Sequence, residues 1–97
     1  MHVQHSPTGR VAVLALHGDV DIAHVDNLRR ALLDLMGAPL IVVDLADVTA
    51  LDSTVLGVLA GGARRAADDG GRLITVNEAG IPAKALRITG LDRVLCA

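Results

Sequence analysis

Apolar residues recur along this chain in two rhythms. Short unbroken runs of aliphatic residues predict strands, and spacings of three and four predict helices. Residues 1–5 read as a short edge strand, and Ser6-Pro7-Thr8-Gly9 as a turn, because Pro presets its backbone angle and Gly tolerates the left-handed region. Val11 to His17 is an apolar run of strand length ended by Gly18, so the first two strands are expected to form an antiparallel hairpin. From about Ala23 to Met36 a helix is expected, with Ile22, Val25, Leu28, Leu32 and Leu35 on one face. Asp19 and Asp21 precede it as candidate caps, Gly37 suits its C′ position, and Pro39 prevents continuation.

Leu40 to Leu45, with Ile41, Val42 and Val43 in succession, is the most strand-like run; such a strand is expected to be central in its sheet. A short acidic loop should follow, with Asp44 and Asp47 accepting bonds from its backbone. Asp52 is a good N-cap for a helix from Ser53 to about Asp69, whose apolar face is Val55, Leu56, Leu59, Ala60, Ala63 and Ala67. Gly70-Gly71 stops that helix, Arg72 to Val76 is another strand, and Asn77 to Gly80 a loop. Pro82 starts a shorter helix that Gly90 closes, and Leu91 to Leu95 reads as a last short strand. The order β-β-α-β-α-β-α-β predicts an α/β fold: a mixed, mainly parallel sheet with helices packed on it, because strand–helix–strand crossovers make parallel pairs. No linker, repeat or low-complexity stretch interrupts residues 1–97, which read as one domain.

Composition narrows the chemistry. Hydrophobic residues are 52% of the 97, which excludes disorder, yet Phe, Tyr and Trp are absent, so the core must be aliphatic. Aromatic platforms for stacking bases are therefore missing, and the basic residues are scattered in a chain of net charge −2. Nucleic acid is not an expected partner. One cysteine, Cys96, excludes an internal disulfide framework and a multi-cysteine metal site, and it reads as a small apolar residue. No signal peptide is evident, and no apolar run reaches the roughly 18 residues of a membrane span, so a cytoplasmic domain without membrane insertion is expected. Nothing in the pattern sets an oligomeric state.

Candidate chemistry concentrates at one junction. Ser53 and Thr54 are hydroxyls at a helix N-terminus with Asp52 before them and Asp47 nearby, a place where an added phosphate changes the local charge. Ser and Asp are also ordinary helix-start residues. No Gly-x-Ser-x-Gly elbow supports a hydrolase, and His17 and His24 read as surface residues. His2 and His5 lack further metal ligands at any evident spacing, and neither Gly61-Gly62 nor Gly70-Gly71 belongs to a phosphate-binding loop. Gly61-Gly62 is expected to let helices pack closely. No cofactor and no catalytic residue is expected.

Four segments resemble, in order, the motifs of the STAS domain family, which includes anti-sigma factor antagonists and the cytoplasmic domains of sulphate transporters. Gly18-Asp19-Val20-Asp21 resembles the family's Gly-Glu-hydrophobic-Asp turn, and Val43-Asp44-Leu45-Ala46-Asp47-Val48 its strand end. Leu51-Asp52-Ser53-Thr54-Val55-Leu56-Gly57 resembles its hydrophobic-Asp-Ser-Ser/Thr-Gly-Leu-Gly motif, and Thr89-Gly90-Leu91-Asp92 its Thr-Gly-Leu-Asp. The matches span nearly the whole chain.

The resemblance implies a non-enzymatic binding module, an anti-sigma factor antagonist that regulates sigma-factor-dependent transcription. Its implied partner is an anti-sigma factor that is also a serine kinase of the histidine-kinase-like ATPase type; ATP and magnesium would belong to that partner. Carried over, the phosphoacceptor is Ser53, and the partner-binding positions are Asp21, Asp52, Thr54 and Leu56. Thr54 is expected mainly to support the cap. Two departures stand out. Val55 occupies the motif's Gly position and is expected to crowd the helix start against a kinase, and the family's C-terminal helix is expected to be absent or truncated. The same family implies two alternatives: an accessory subunit of a lipid-transport ABC ATPase, or a degenerate STAS module that is no longer phosphorylated.

Overall fold

Residues 1–96 are described by the computed structural model; Ala97, the last residue of the expected domain, lies outside the described residues. Strands β1 (His2–His5), β2 (Val11–Val20), β3 (Leu40–Leu51) and β4 (Arg72–Val76) form one sheet in the order β1-β2-β3-β4. β1 and β2 make the expected antiparallel hairpin, in which Ser6 N–H donates to Val11 O at 2.8 Å and Gly9 takes φ +71°. β2–β3 and β3–β4 are parallel, so the sheet is mixed and mainly parallel, with β3 internal.

Strand alternation assigns the two faces. Ala12, Leu14 and Leu16 of β2, Ile41, Val43 and Leu45 of β3, and Leu73 and Thr75 of β4 are buried on one face, and the residues between them are less so. Helices α1 (Val25–Leu35) and α2 (Ser53–Asp68) bury Val25, Leu28, Leu32 and Leu35 and Val55, Leu56, Leu59, Ala63 and Ala66 in the same aliphatic core. A Cβ on Gly62 would stand 3.2 Å from Leu32 Cδ1 and 3.3 Å from Leu73 Cδ1. Gly62 therefore lets α2 settle against both α1 and β4, whereas a Cβ on Gly61 would meet open space. The expected close packing rests on one glycine of the pair.

Local differences from the sequence pattern have physical causes. Residues 22–24 form a 3-10 turn before α1, which swings Ile22 out to 69% exposure instead of onto the helix face. In α2 the buried stripe ends on Ala66 rather than Ala67, following the spacing of three from Ala63. β3 does not stop at Leu45. It continues to Leu51, because β2 continues beside it through two register shifts, with Val48 and Leu51 turned inward. Gly18, at φ +68°, supplies the left-handed residue in that irregular stretch.

The last expected strand is a helix. After α3 (Gly80–Thr89) ends at Gly90, at φ +75°, residues Asp92–Leu95 form the short α4, with Leu95 N–H donating to Leu91 O at 2.8 Å. Leu91, Val94 and Leu95 are spaced by three and four, which suits a helical turn better than a pleat. Besides its ladder with β3, β4 has among the described residues only a single parallel bridge, between Thr75 and Cys96.

Candidate functional site

The site begins where β2 and β3 end. Val20 and Leu51 are partners across the parallel ladder, and the next residue of each strand is an aspartate, Asp21 and Asp52. Asp52 N–H donates to Val20 O at 3.2 Å, which ties the start of α2 to the end of β2. Two helix starts are thereby anchored on neighbouring strands at one end of the sheet, where ligand-facing surfaces of parallel sheets commonly lie.

Asp52 is the N-cap of α2. Its Oδ1 accepts from Thr54 N–H at 2.8 Å and Val55 N–H at 3.2 Å. Asp21 caps the 3-10 turn: its Oδ1 accepts from Ala23 N–H at 2.9 Å, and its own N–H donates to His24 Nδ1 at 3.3 Å. Asp19 does not cap. It accepts from the Thr49 hydroxyl, joining the irregular ends of β2 and β3.

Ser53 and Thr54 are both exposed on the first turn of α2. Among the described residues no side chain hydrogen-bonds to Ser53 Oγ, and the bonds at this turn run from the Thr54 and Val55 N–H groups to Asp52. Thr54 serves the cap only through its backbone N–H; its side chain lines a groove between α1 and α2.

Two expectations are corrected here. Leu56, expected to touch a partner, is only 3% exposed and packs in the core, because it follows Val55 on the inward side of the first turn. Val55 is 0% exposed. Its methyl groups fill core beneath the helix start, and they do not crowd the surface beside Ser53.

A second cluster lies where β3 and β4 run side by side. Asn77 Nδ2 donates to Asp44 Oδ1 at 2.9 Å, and Ala46 N–H donates to the same oxygen at 3.0 Å. The Asn77 amide first, then the Ala46 N–H, hold the Asp44 carboxyl below the usual carboxylate range against a small opposing effect of burial. Asp44 thus accepts a backbone bond, but from within β3 and not from the expected loop, and Asp47 too stands within β3, opposite His17. Thr75, fully buried, donates to Glu78 Oε1 at 2.7 Å and lies 3.7 Å from Cys96 Sγ. Burial foremost, with the nearby Glu78 and Asp92 carboxylates, pushes the Cys96 thiol up against the opposing Thr75 bond. That thiol stays protonated at neutral pH and is a poor nucleophile. Links such as Asp19–Thr49 and Asp44–Asn77 join residues far apart in sequence, so no local spacing announces them.

Among the described residues no three His, Cys, Asp or Glu side chains are placed to hold a metal ion, and no helix is long and apolar enough to cross a membrane.

A mainly parallel sheet with two capped helix starts side by side, one of them carrying a half-buried Asp52 followed by the exposed Ser53 and Thr54, defines a STAS-type domain. The sequence profile of the family described as "Mlab, STAS domain" matches residues 3–96, and the chain belongs to that family. No curated protein sequence matches it. Among solved structures, a putative anti-sigma factor antagonist from Thermotoga maritima is similar with a TM-score of 0.87 at 22% identity, over 98% of this chain and 82% of that one. An anti-sigma factor antagonist from Mycobacterium paratuberculosis gives a TM-score of 0.84 at 24% identity, over 97% of this chain and 80% of that one. The anti-sigma factor antagonist SpoIIAA of Bacillus, in its unphosphorylated form, gives 0.82 at 21% identity, over 97% and 85%. At these identities the likeness is one of fold.

Proposed function

We propose that this chain is a cytoplasmic, non-catalytic anti-sigma factor antagonist whose binding to an anti-sigma factor kinase is switched off by phosphate on Ser53. The observation that carries the reading is the exposure of Ser53 on a helix start whose cap, Asp52, is already complete. SpoIIAA, of the same fold, exists in phosphorylated and unphosphorylated forms.

The physics of the switch follows from the cap. A phosphate would add about −1.5 to −2 charges at Ser53. The helix N-terminus would favour it by about 0.3–1 kcal/mol. Asp52 already accepts from the Thr54 and Val55 N–H groups, so the phosphate gains neither without displacing the cap, and the adjacent carboxylate repels it. The fold need not rearrange. A partner packed against a neutral hydroxyl would meet a dianion instead, and a loss of about 2.8 kcal/mol weakens binding a hundredfold. Asp21, Asp52 and Thr54 share this exposed end and are the proposed partner contacts.

A second reading is an accessory subunit of a lipid-transport ABC ATPase, which the STAS resemblance of the sequence also implies. There α2 would dock without any phosphate. Phosphopeptide mass spectrometry of the chain recovered from its own cells separates the two. Phosphate on Ser53 in a fraction that changes with growth condition supports the switch; a chain free of phosphate under every condition supports the accessory role.

A further inference from the structure

From the groove between α1 and α2 we infer a docking site for an amphipathic helix of a partner protein that carries carboxylates beside its apolar stripe. The inference concerns how a partner is held and stands whether or not Ser53 carries phosphate.

The groove measures about 340 Å³, within the range of sites that seat a ligand or a few partner side chains. Leu32, Leu33 and Met36 of the α1 side and Val58 of α2 give it an apolar lining, and Leu33 is 47% exposed. Gly57 and Gly61 of α2 also line it, one helical turn apart, and a Cβ on either would meet open space. A trough with one wall lowered by two glycines along a helix admits another helix at close range, in the manner of helix-in-groove recognition.

Charge selects the occupant. Among the described residues Arg29 and Arg65 are the charged lining residues, one from each helix, and no carboxylate lines the groove. Arg29 is held only by a loose, exposed contact with Asp26 at 3.9 Å, and Arg65 has no ion pair among the described residues. In a chain of net charge −2, two arginines across an apolar trough complement a helix with glutamate or aspartate flanking its leucines. Thr54 lies in the same lining, so a helix seated here reaches the turn that carries Ser53.

The test uses two synthetic helical peptides of about 14 residues, long enough to present i, i+3, i+4 and i+7 leucines. One has glutamates beside the stripe, and the other has lysines at the same positions. Amide shifts of the ¹⁵N-labelled chain are followed on titration, with myristate and the chain's own dilution series as parallel arms. The glutamate peptide is expected to shift Leu33, Gly57, Val58 and Gly61 and to bind at least tenfold more tightly than the lysine peptide. Arg29→Glu with Arg65→Glu, both at exposed positions, should reverse that preference. Gly61→Leu, which fills open space on a helix, should abolish binding while keeping the native spectrum elsewhere. Equal binding of both peptides, no shift in the groove, shifts produced only by myristate, or shifts that follow self-association would each overturn the inference.

Discussion

Val20 and Leu51 face each other at the ends of parallel strands, and each hands the chain directly to the aspartate that caps the next helical segment. The proposed partner-facing end of the molecule is built from this one ladder rung. It sets Asp21 and Asp52 on neighbouring strands and holds Ser53 at the surface immediately beyond.

Removing the cap tests whether Asp52 is structural as well as functional. Asp52→Ala leaves the Thr54 and Val55 N–H groups without their acceptor and should cost about 1 kcal/mol in urea unfolding. Asp52→Asn retains an accepting oxygen and should stay within about 0.5 kcal/mol of the parent. A binding defect in the Asn variant would then report the lost charge and not a frayed helix.

Val55→Gly gives a motif closer to the family pattern but removes buried methyl groups from the first turn. It should destabilise the domain by about 2–4 kcal/mol, combining a core cavity with the poor helix propensity of Gly. Because Val55 is core and not surface, the variant is expected to gain nothing in phosphorylation at Ser53. A faster phosphorylation rate measured at a temperature where both proteins are folded would show that Val55 does obstruct the site.

Asp44 makes stability depend on acid. Its carboxyl lies below the ordinary value in the folded chain, chiefly through the Asn77 amide, so its contribution is present above the unfolded value of about 3.9. It is lost as pH falls through the folded value. Asn77 sits at φ +61°, so Asn77→Gly removes the amide while tolerating the backbone. The Gly variant should be less stable than the parent at about pH 7, and the gap should shrink toward a pH-independent backbone offset at about pH 2. Carbon-detected titration of Asp44 should show its pKa rising in the variant. An unchanged pKa would mean that the Asn77 bond does not hold the charge.

Much of this architecture is written in aliphatic spacing. With no aromatic residue to blur the pattern, Val11–His17, Leu40–Leu45 and Arg72–Val76 read as strands and are strands, and Leu28, Leu32, Leu56 and Leu59 point inward as their spacing requires. Asp52 and Asp21 were legible as caps because the chemistry of a cap is local. What escaped depends on partners distant in sequence. The tail of β3 looks like an acidic loop until the end of β2 lies beside it, and Asp19 looks like a cap until Thr49 claims its carboxylate. Leu91 to Leu95 carries a three-four spacing, but over a single turn that signal is weak beside the strand-like run of apolar residues, and Ile22 leaves the helix face because a 3-10 turn precedes α1. The groove bounded by Arg29 and Arg65 exists only once two helices are packed together.

The central claim is that Ser53 toggles a protein contact without altering the fold. Its most direct measurement is affinity capture from native-host lysate with three baits, the parent chain, Ser53→Ala and Ser53→Glu, each first matched for thermal unfolding. The parent and Ala baits are expected to retain an anti-sigma factor kinase and the Glu bait to lose it, with all three equally stable. Equal retention of a transporter ATPase by all three baits would contradict the switch.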